Sequence, residues 1–150
     1  MGLFVLDPVN GGDPFSGYSS TLPDIVPSVT DALTIPVAYL GETLDGSGGF
    51  MQCAPSDQNY TTFFNASAAT TWAVEYTFVG ADHMDFVSDT AGCGFTCSAC
   101  RSGSADQSQV QASMSTLAAA FMRRHLQGEM AMDAYLFGMS VPSGVTFRTK

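Results

Sequence analysis

Basic residues are nearly absent from most of this sequence. The first 100 residues contain neither lysine nor arginine, and all 5 of these cations lie between positions 101 and 150, so the formal net charge is −9. Nucleic-acid binding needs a basic patch that displaces the counterions of the phosphates, so nucleic acid is excluded as an expected partner. No apolar run approaches the roughly 18 residues that a membrane helix needs, and no transmembrane segment is expected.

The first residues of the given sequence do not predict a secretion signal. Met1 and Gly2 lead directly into an apolar stretch, without a basic region or a small-residue cleavage site. Two features nevertheless favour an oxidising compartment. One is a pair of glycosylation-type triplets, which begin at Asn59 and Asn65, and the other is an even number of cysteines: Cys53, Cys93, Cys97 and Cys100. We therefore expect a secreted protein or one from another oxidising compartment.

The length and hydrophobic content predict one folded domain over residues 1–150. The chain has 150 residues, of which 45% are hydrophobic, enough to form a core. Short apolar or β-branched runs at residues 3–6, 35–40 and 72–79 predict three buried strands. Because the segments between them are long enough for crossovers, the expected fold class is α/β, with a parallel sheet flanked by helices. Three strands alone would leave an edge of this sheet exposed.

The remaining segments predict helices and loops. Residues 10–34 are rich in Gly, Pro and Ser and read as a long loop with a short helix near 28–33, and Asp57 could cap a second short helix. Ser104 and Gln107 form a capping-box pattern before a long helix that Gly128 should end. Residues 129–137 could add a helical turn and 141–150 a tail. The core-facing side chains of the long helix are expected to be Val110, Met114, Leu117, Ala118, Phe121 and Met122.

Three groups that could do chemistry follow the predicted strands. They are Asp7, the pair Glu42 and Asp45, and His83. Reactive side chains of open α/β sheets gather beyond the carboxyl ends of the strands, and an imidazole held by a carboxylate can act as a general base near neutral pH. Each residue alone also has an ordinary interpretation, since Asp-Pro often begins a turn and acidic neighbours of a histidine can simply solvate a loop. Their repeated position at strand ends favours catalysis.

The order of the motifs resembles chlorophyllase and its bacterial relatives. The resemblance rests on Leu6-Asp7-Pro8-Val9 before a Gly-rich loop, on Cys53-Ala54-Pro55 before Phe63-Phe64, and on the segment from Gly80 to Phe86 around His83. It implies the C-terminal half of an α/β-hydrolase that cleaves a lipophilic carboxylic ester with a Ser-Asp-His triad and no cofactor or metal. The implied acid is Asp7 and the implied base is His83.

Two points depart from this resemblance. The turn from Gly41 to Asp45 is similar to the acid-bearing turn of cutinases and polyester hydrolases, which makes Asp45 the alternative acid. The sequence contains no Gly-x-Ser-x-Gly nucleophile elbow. The chain is therefore expected to be a partial hydrolase domain, inactive alone, whose partner could be the missing N-terminal half.

The four cysteines have two interpretations. Their spacing could supply zinc ligands, but a second paired knuckle is missing, and disulfides are favoured. Three pairings are open, and a bridge from Cys53 to the 93–100 loop would fix the segment that follows His83.

The function hypothesis that competes with an esterase is a non-catalytic, secreted, disulfide-bonded module that binds a partner through apolar side chains.

Overall fold

A four-stranded sheet forms the centre of the protein. The computed structural model describes residues 1–12, 18–44, 52–89, 92, 94, 100 and 103–150. The strands pair in the order β1-β2-β3-β4. The first three are mutually parallel, whereas β4 runs antiparallel to β3. The predicted α/β class is therefore confirmed. The strands are β1, Leu3–Leu6; β2, Val37–Glu42; β3, Ala73–Phe78; and β4, Val145–Thr149.

Helices cover both faces of this sheet. The α-helices are α1, Val26–Ala32; α2, Tyr60–Ala66; α3, Gln107–Leu126; and α4, Asp133–Phe137. Alternate residues of β2 face opposite layers, because side chains along a strand alternate in direction. Tyr39 packs with α1 and α2 in one core cluster, and Leu40 packs with α3 and α4 in the other. All of β2 is buried, as expected for a central parallel strand. Two 3₁₀ turns, His83–Phe86 and Met130–Met132, are also present.

The three predicted strands are present, with the second shifted along the chain. The segment predicted at 35–40 forms a strand only from Val37, after Pro36, which has no N–H to donate to a neighbouring strand. The strand continues to Glu42 because Gly41 and Glu42 pair with Thr77 and Phe78 of β3. This extension carries the carboxylate of Glu42 to the end of the sheet.

The helix ends differ from the sequence predictions. Asp106, rather than Ser104, caps α3, and its side chain accepts a hydrogen bond from the backbone N–H of Gln109. Asn59, rather than Asp57, caps α2. Gly128 does follow the end of α3, with a φ of +74° that suits glycine. Most of the predicted core face of α3 is correct, but Met122 is 37% exposed and does not belong to it.

The prediction of a tail at residues 141–150 is wrong. The segment contains β4, which pairs with β3 from Val74 to Phe78. Its alternating Val, Thr and Phe residues suit a strand, but all of them except Val145 are exposed, so no buried apolar run marks it in the sequence. β4 covers the edge of β3 that three strands would have left open. Among the described residues, no helix has the length and apolarity needed to cross a membrane.

Candidate active site

The ends of three strands bring Asp7, Glu42 and His83 together. Asp7 follows β1, Glu42 is the last residue of β2, and His83 begins the 3₁₀ turn after β3. One side-chain oxygen or nitrogen atom from each residue lies within 4.8 Å of the corresponding atoms of the other two. Parallel strands end at the same edge of the sheet, which is why residues so distant in sequence meet there.

Asp7 and His83 form a direct hydrogen-bonded pair. Nδ1 of His83 contacts Oδ2 of Asp7, and the side chains are 32% and 4% exposed, respectively. With the carboxylate ionised, Nδ1–H donates and the lone pair of the neutral ring lies on Nε2. A buried acid that fixes the tautomer of a solvent-accessible imidazole is the arrangement that a general base requires.

The backbone holds Asp7 in an unusual conformation. Its φ is +38°, which non-glycine residues rarely adopt, and its N–H donates to the carbonyl of Leu40 at 2.7 Å. Such conformations persist where the surrounding structure enforces them, often at functional sites.

Asn10 fixes the loop that follows Asp7. Its fully buried side chain donates to the hydroxyl of Tyr18 at 2.8 Å and to the carboxylate of Asp24 at 2.7 Å, and it accepts from the N–H of Ile25 at 3.0 Å. These bonds join the loop to the start of α1. This role of Asn10 was not predicted, because an Asn beside two glycines looks like an ordinary turn residue in the sequence.

Two carboxylates fix the turn that carries His83. Asp82 accepts from the N–H of Met84 at 2.9 Å, and Asp85 accepts from the N–H of Asp82 at 2.9 Å, so the two form a reciprocal capping box. Asp82 also accepts from the N–H of Gly103. A Cβ at Gly103 would lie 2.7 Å from Oδ2 of Asp85, so the approach requires glycine. Asp82 and Asp85 are buried, and the interpretation that they merely solvate the loop is wrong.

Glu42 is held beside the pair by the packing of α2 against β2. The ring of Tyr60 lies directly over Gly41, where an added Cβ would be only 1.9 Å from Cδ1 of Tyr60. The Tyr60 hydroxyl hydrogen-bonds Thr77 at 2.9 Å and donates to the carbonyl of Glu42 at 3.4 Å. Burial raises the pKa of Tyr60 to about 12, with a smaller contribution from nearby carboxylates, so it stays a neutral phenol.

The same three residues contain the donors for a metal ion. One ligand atom from each of two buried carboxylates and one imidazole lies within 4.8 Å of the others, and this is the set of potential ligands found in the described part of the chain. The arginines of the described part pair with carboxylates elsewhere: Arg123 with Glu129, Arg124 with Asp133, and Arg148 with Glu75.

The other candidate residues lie partly outside the described residues. Asp45, the alternative acid, falls in the gap at 45–51, and Cys93 and Cys97 also fall in gaps. Cys53 and Cys100 form a disulfide, with their Cα atoms 5.7 Å apart. The expected bridge from Cys53 to the 93–100 loop is thus present, and the zinc site that would use Cys53 as its fourth ligand is not formed.

Comparisons with known proteins agree on one family. The chlorophyllase family model matches residues 1–138. Chlorophyllase-1 of Arabidopsis thaliana is 31% identical over 143 residues, which cover 86% of this chain and 40% of the plant protein. The chain thus spans less than half the length of this relative. No solved structure matched the chain. A family match over nearly all of its length, together with this identity, shows that the chain belongs to the chlorophyllase family.

Proposed function

We propose that Asp7 and His83 are the acid and base of a serine-dependent carboxylic ester hydrolase. The observation that carries this proposal is the hydrogen bond between Oδ2 of the buried Asp7 and Nδ1 of His83. Asp7 holds the imidazole in the tautomer that accepts a proton at Nε2 and stabilises the imidazolium that results. His83 then takes the proton of a serine hydroxyl as it attacks the ester carbonyl, and returns it to the departing alcohol.

The serine in this proposal comes from outside residues 1–150. The sequence has no Gly-x-Ser-x-Gly elbow, so the nucleophile must be delivered to the site by another segment. β1 is the edge strand of the sheet next to β2, and Asp7 follows it directly. A further strand that paired in parallel with β1 would end beside Asp7, where a serine in the following turn could reach His83.

The proposed substrate is a lipophilic ester, because exposed apolar side chains lie near the pair in the sequence. Leu6 precedes Asp7 and is 45% exposed, and Val87 follows the His83 turn and is 39% exposed. Ile25, which precedes α1, and Val29 within α1 are also exposed, and Asn10 ties the start of this helix to the loop after Asp7. Apolar side chains beside a catalytic pair favour an alkyl or acyl chain as the substrate group. The name of the Arabidopsis relative makes the ester of chlorophyll the first substrate to assay.

The disulfide between Cys53 and Cys100 supports a location in an oxidising compartment.

The test uses the protein as it is made in its source, together with the 150-residue chain. Intact mass and peptide mapping of the native protein would show whether a Gly-x-Ser-x-Gly peptide precedes Leu3. In a protein that carries this peptide, His83→Ala and Asp7→Asn should each lower kcat by about 10³-fold or more for a short-chain nitrophenyl ester and for chlorophyll. The 150-residue chain alone should have no activity.

The second histidine supplies a matched control. His125→Gln changes the only other imidazole of the chain and should leave kcat within about twofold. Full activity in the His83→Ala protein would refute the catalytic role. A native mass equal to that of this chain, with no hydrolysis, would instead favour a secreted module that binds without catalysis.

A further inference from the structure

We propose that Asn65 is a site of N-linked glycosylation and that Asn59, in the other glycosylation-type triplet, is not. Each asparagine lies two positions before a hydroxyl residue, Asn59 before Thr61 and Asn65 before Ser67, so the sequence alone does not distinguish them. The inference rests on the oxidising compartment proposed above, and it does not depend on ester hydrolysis.

The side chain of Asn59 is part of the packed structure. Asn59 is 4% exposed and caps α2. Its Oδ1 accepts from the N–H of Thr61 at 3.1 Å and from the Thr61 hydroxyl at 2.7 Å, and its Nδ2 donates to the carbonyl of the buried Ala54 at 3.4 Å. An oligosaccharide on Nδ2 would have to displace this packing and would remove the helix cap. The folded protein therefore has no room for a glycan at Asn59.

Asn65 has the opposite surroundings. It lies in the last turn of α2 and is exposed. Ala66 and the segment 68–70, Ala-Ala-Thr, are exposed as well, and their side chains are small. The end of the helix is held from the backbone, because Nζ of Lys150 donates to the carbonyl of Asn65 at 2.8 Å. N-linked glycans are bulky and hydrophilic and lie on the surface. One attached to Asn65 can extend into the solvent without moving a packed side chain.

The structure also determines when this glycan is attached. The hydroxyl of Ser67 belongs to the acceptor triplet, but in the folded protein it is buried and hydrogen-bonds the Tyr39 hydroxyl and the Phe63 carbonyl, both at 3.0 Å. A transferase that reads this hydroxyl must act before α2 packs against β2. A chain modified at Asn59 at that stage cannot complete the cap of α2, so it does not enter the folded, secreted protein.

The transfer joins Asn65 to an oligosaccharide carried on a lipid pyrophosphate. Nδ2 forms a bond to the anomeric carbon of the sugar, and the bond between that carbon and the pyrophosphate oxygen breaks. The lipid pyrophosphate leaves with the bonding electrons, and the amide nitrogen gives one proton to solvent. No oxidation or reduction takes place.

The proposed glycan lies far from the proposed catalytic pair. α2 begins with Tyr60, whose ring covers Gly41 near the carboxyl end of β2. Its other end meets Lys150, whose N–H donates to the carbonyl of Ala73 at the start of β3. Strands of this length extend over about 17–20 Å. Asn65 is thus at the amino end of the sheet, and its modification should not obstruct a substrate at the carboxyl end.

The first experiment maps glycans on the native protein from its source. An amidase releases N-linked glycans in heavy-oxygen water and converts each modified asparagine to labelled aspartate. We expect the label at position 65 and an unmodified Asn59. An unmodified Asn65, or a glycan on Asn59, would overturn the inference.

Two variants of the whole protein, secreted from animal cells, form a matched pair. Asn65→Gln should lower the intact mass by one oligosaccharide. Asn59→Asp also removes a triplet but keeps an acceptor for the helix cap, and the oligosaccharide should remain. The same oligosaccharide on Asn65→Gln and the wild type, or its loss from Asn59→Asp, would contradict the assignment.

Two further measurements test the order of events and separate this inference from the proposed function. Dithiothreitol added during synthesis delays the disulfide between Cys53 and Cys100. The glycosylated fraction of Asn65 should then stay the same or rise, and a fall would contradict transfer before folding. Asn65→Gln should retain full esterase activity. An active enzyme without a glycan on Asn65 leaves the hydrolase proposal intact, and a fully active His83→Ala protein leaves the glycan assignment intact.

Discussion

Glu75 in β3 lies directly opposite Arg148 in β4, and two hydrogen bonds of 2.7 and 2.6 Å join the guanidinium to both oxygens of the carboxylate. Glu75 is 5% exposed, and the hydrogen bonds to its carboxylate raise the pKa of Arg148 above its usual value. The guanidinium also lies over the ring of Phe64, 4.7 Å from its centre. One side chain of β4 thus provides the partner for a buried charge in the middle of the sheet.

Replacing this arginine should destabilise the protein. Arg148→Met keeps most of the apolar contact but leaves the carboxylate of Glu75 buried without its partner, so we expect a loss of about 1–3 kcal/mol in the free energy of unfolding. Urea denaturation would measure it. Arg148→Met combined with Glu75→Met removes both charges and should recover much of the loss. Equal stability of the single variant and the wild type would contradict the role given to this pair.

Gly41→Ala should be strongly destabilising. The new methyl group would lie 1.9 Å from Cδ1 and 2.2 Å from Cε1 of Tyr60, so either the ring or β2 must move. Overpacking a core in this way costs about 1–3 kcal/mol or more in the free energy of unfolding, which chemical denaturation would show. Tyr60→Ala provides the control. Tyr60→Ala should lower the free energy of unfolding clearly less in the Gly41→Ala protein than in the wild type. An equal loss in both proteins would contradict the contact between Gly41 and the Tyr60 ring.

Stability should fall in mild acid because of His125. The ring centre of His125 lies 4.4 Å from that of Trp72 and 4.6 Å from that of Phe121, and its buried Nε2 has no hydrogen-bond partner among the described residues. Burial and, to a smaller extent, Arg124 lower the pKa of His125 below its usual 6.5. As the pH falls through 6.5, His125 therefore binds a proton in the unfolded chain before it does so in the folded protein. This favours the unfolded chain, so the free energy of unfolding decreases.

His125→Leu isolates this effect. Other groups titrate in the same range, but they are common to both proteins, so the difference between wild type and variant reports on His125. Between about pH 8 and pH 5 the wild type should lose more stability than the variant in urea denaturation. Parallel pH profiles for the two proteins would show that the imidazole is not held in its neutral form.

The disulfide should contribute substantially to stability. Cys53 and Cys100 are 47 residues apart in sequence, and closing a loop of that length stabilises a protein by about 4 kcal/mol in the chain-entropy description. The variant with both Cys53→Ala and Cys100→Ala should therefore unfold at a much lower urea concentration. Reduction of the wild type should give a similar loss, and reduction of the double variant should add little. A large further loss on reducing the double variant would point to a different stabilising bridge.

The part of the fold that the sequence predicts is the part determined by local patterns. The runs that end at Leu6, Leu40 and Val79 are apolar and followed by glycine or aspartate, and these signals mark buried parallel strands and the chemistry at their ends. That rule nominated Asp7, the pair Glu42 and Asp45, and His83, and the family resemblance then selected Asp7 and His83, which the structure brings together.

The other features depend on distant residues. Glu42 reaches the site only because β2 extends two residues beyond the predicted end through its pairing with β3. The burial of Asp82 depends on the close approach of Gly103, which is 21 positions away in sequence. β4 is mostly exposed and is stabilised by its pairing with β3, so its five residues lack the buried apolar run by which the other strands were predicted.

β4 also affects how the chain behaves in a crowded solution. An uncovered β3 would offer a row of backbone donors and acceptors to any other extended chain, and β3 is rich in the aromatic and β-branched residues that self-associate. β4 pairs with these backbone groups of β3 and becomes the edge strand. Thr146, Arg148 and, just after the strand, Lys150 then lie at or near this edge of the sheet. A chain shortened before Val145 should therefore self-associate more readily than the full chain.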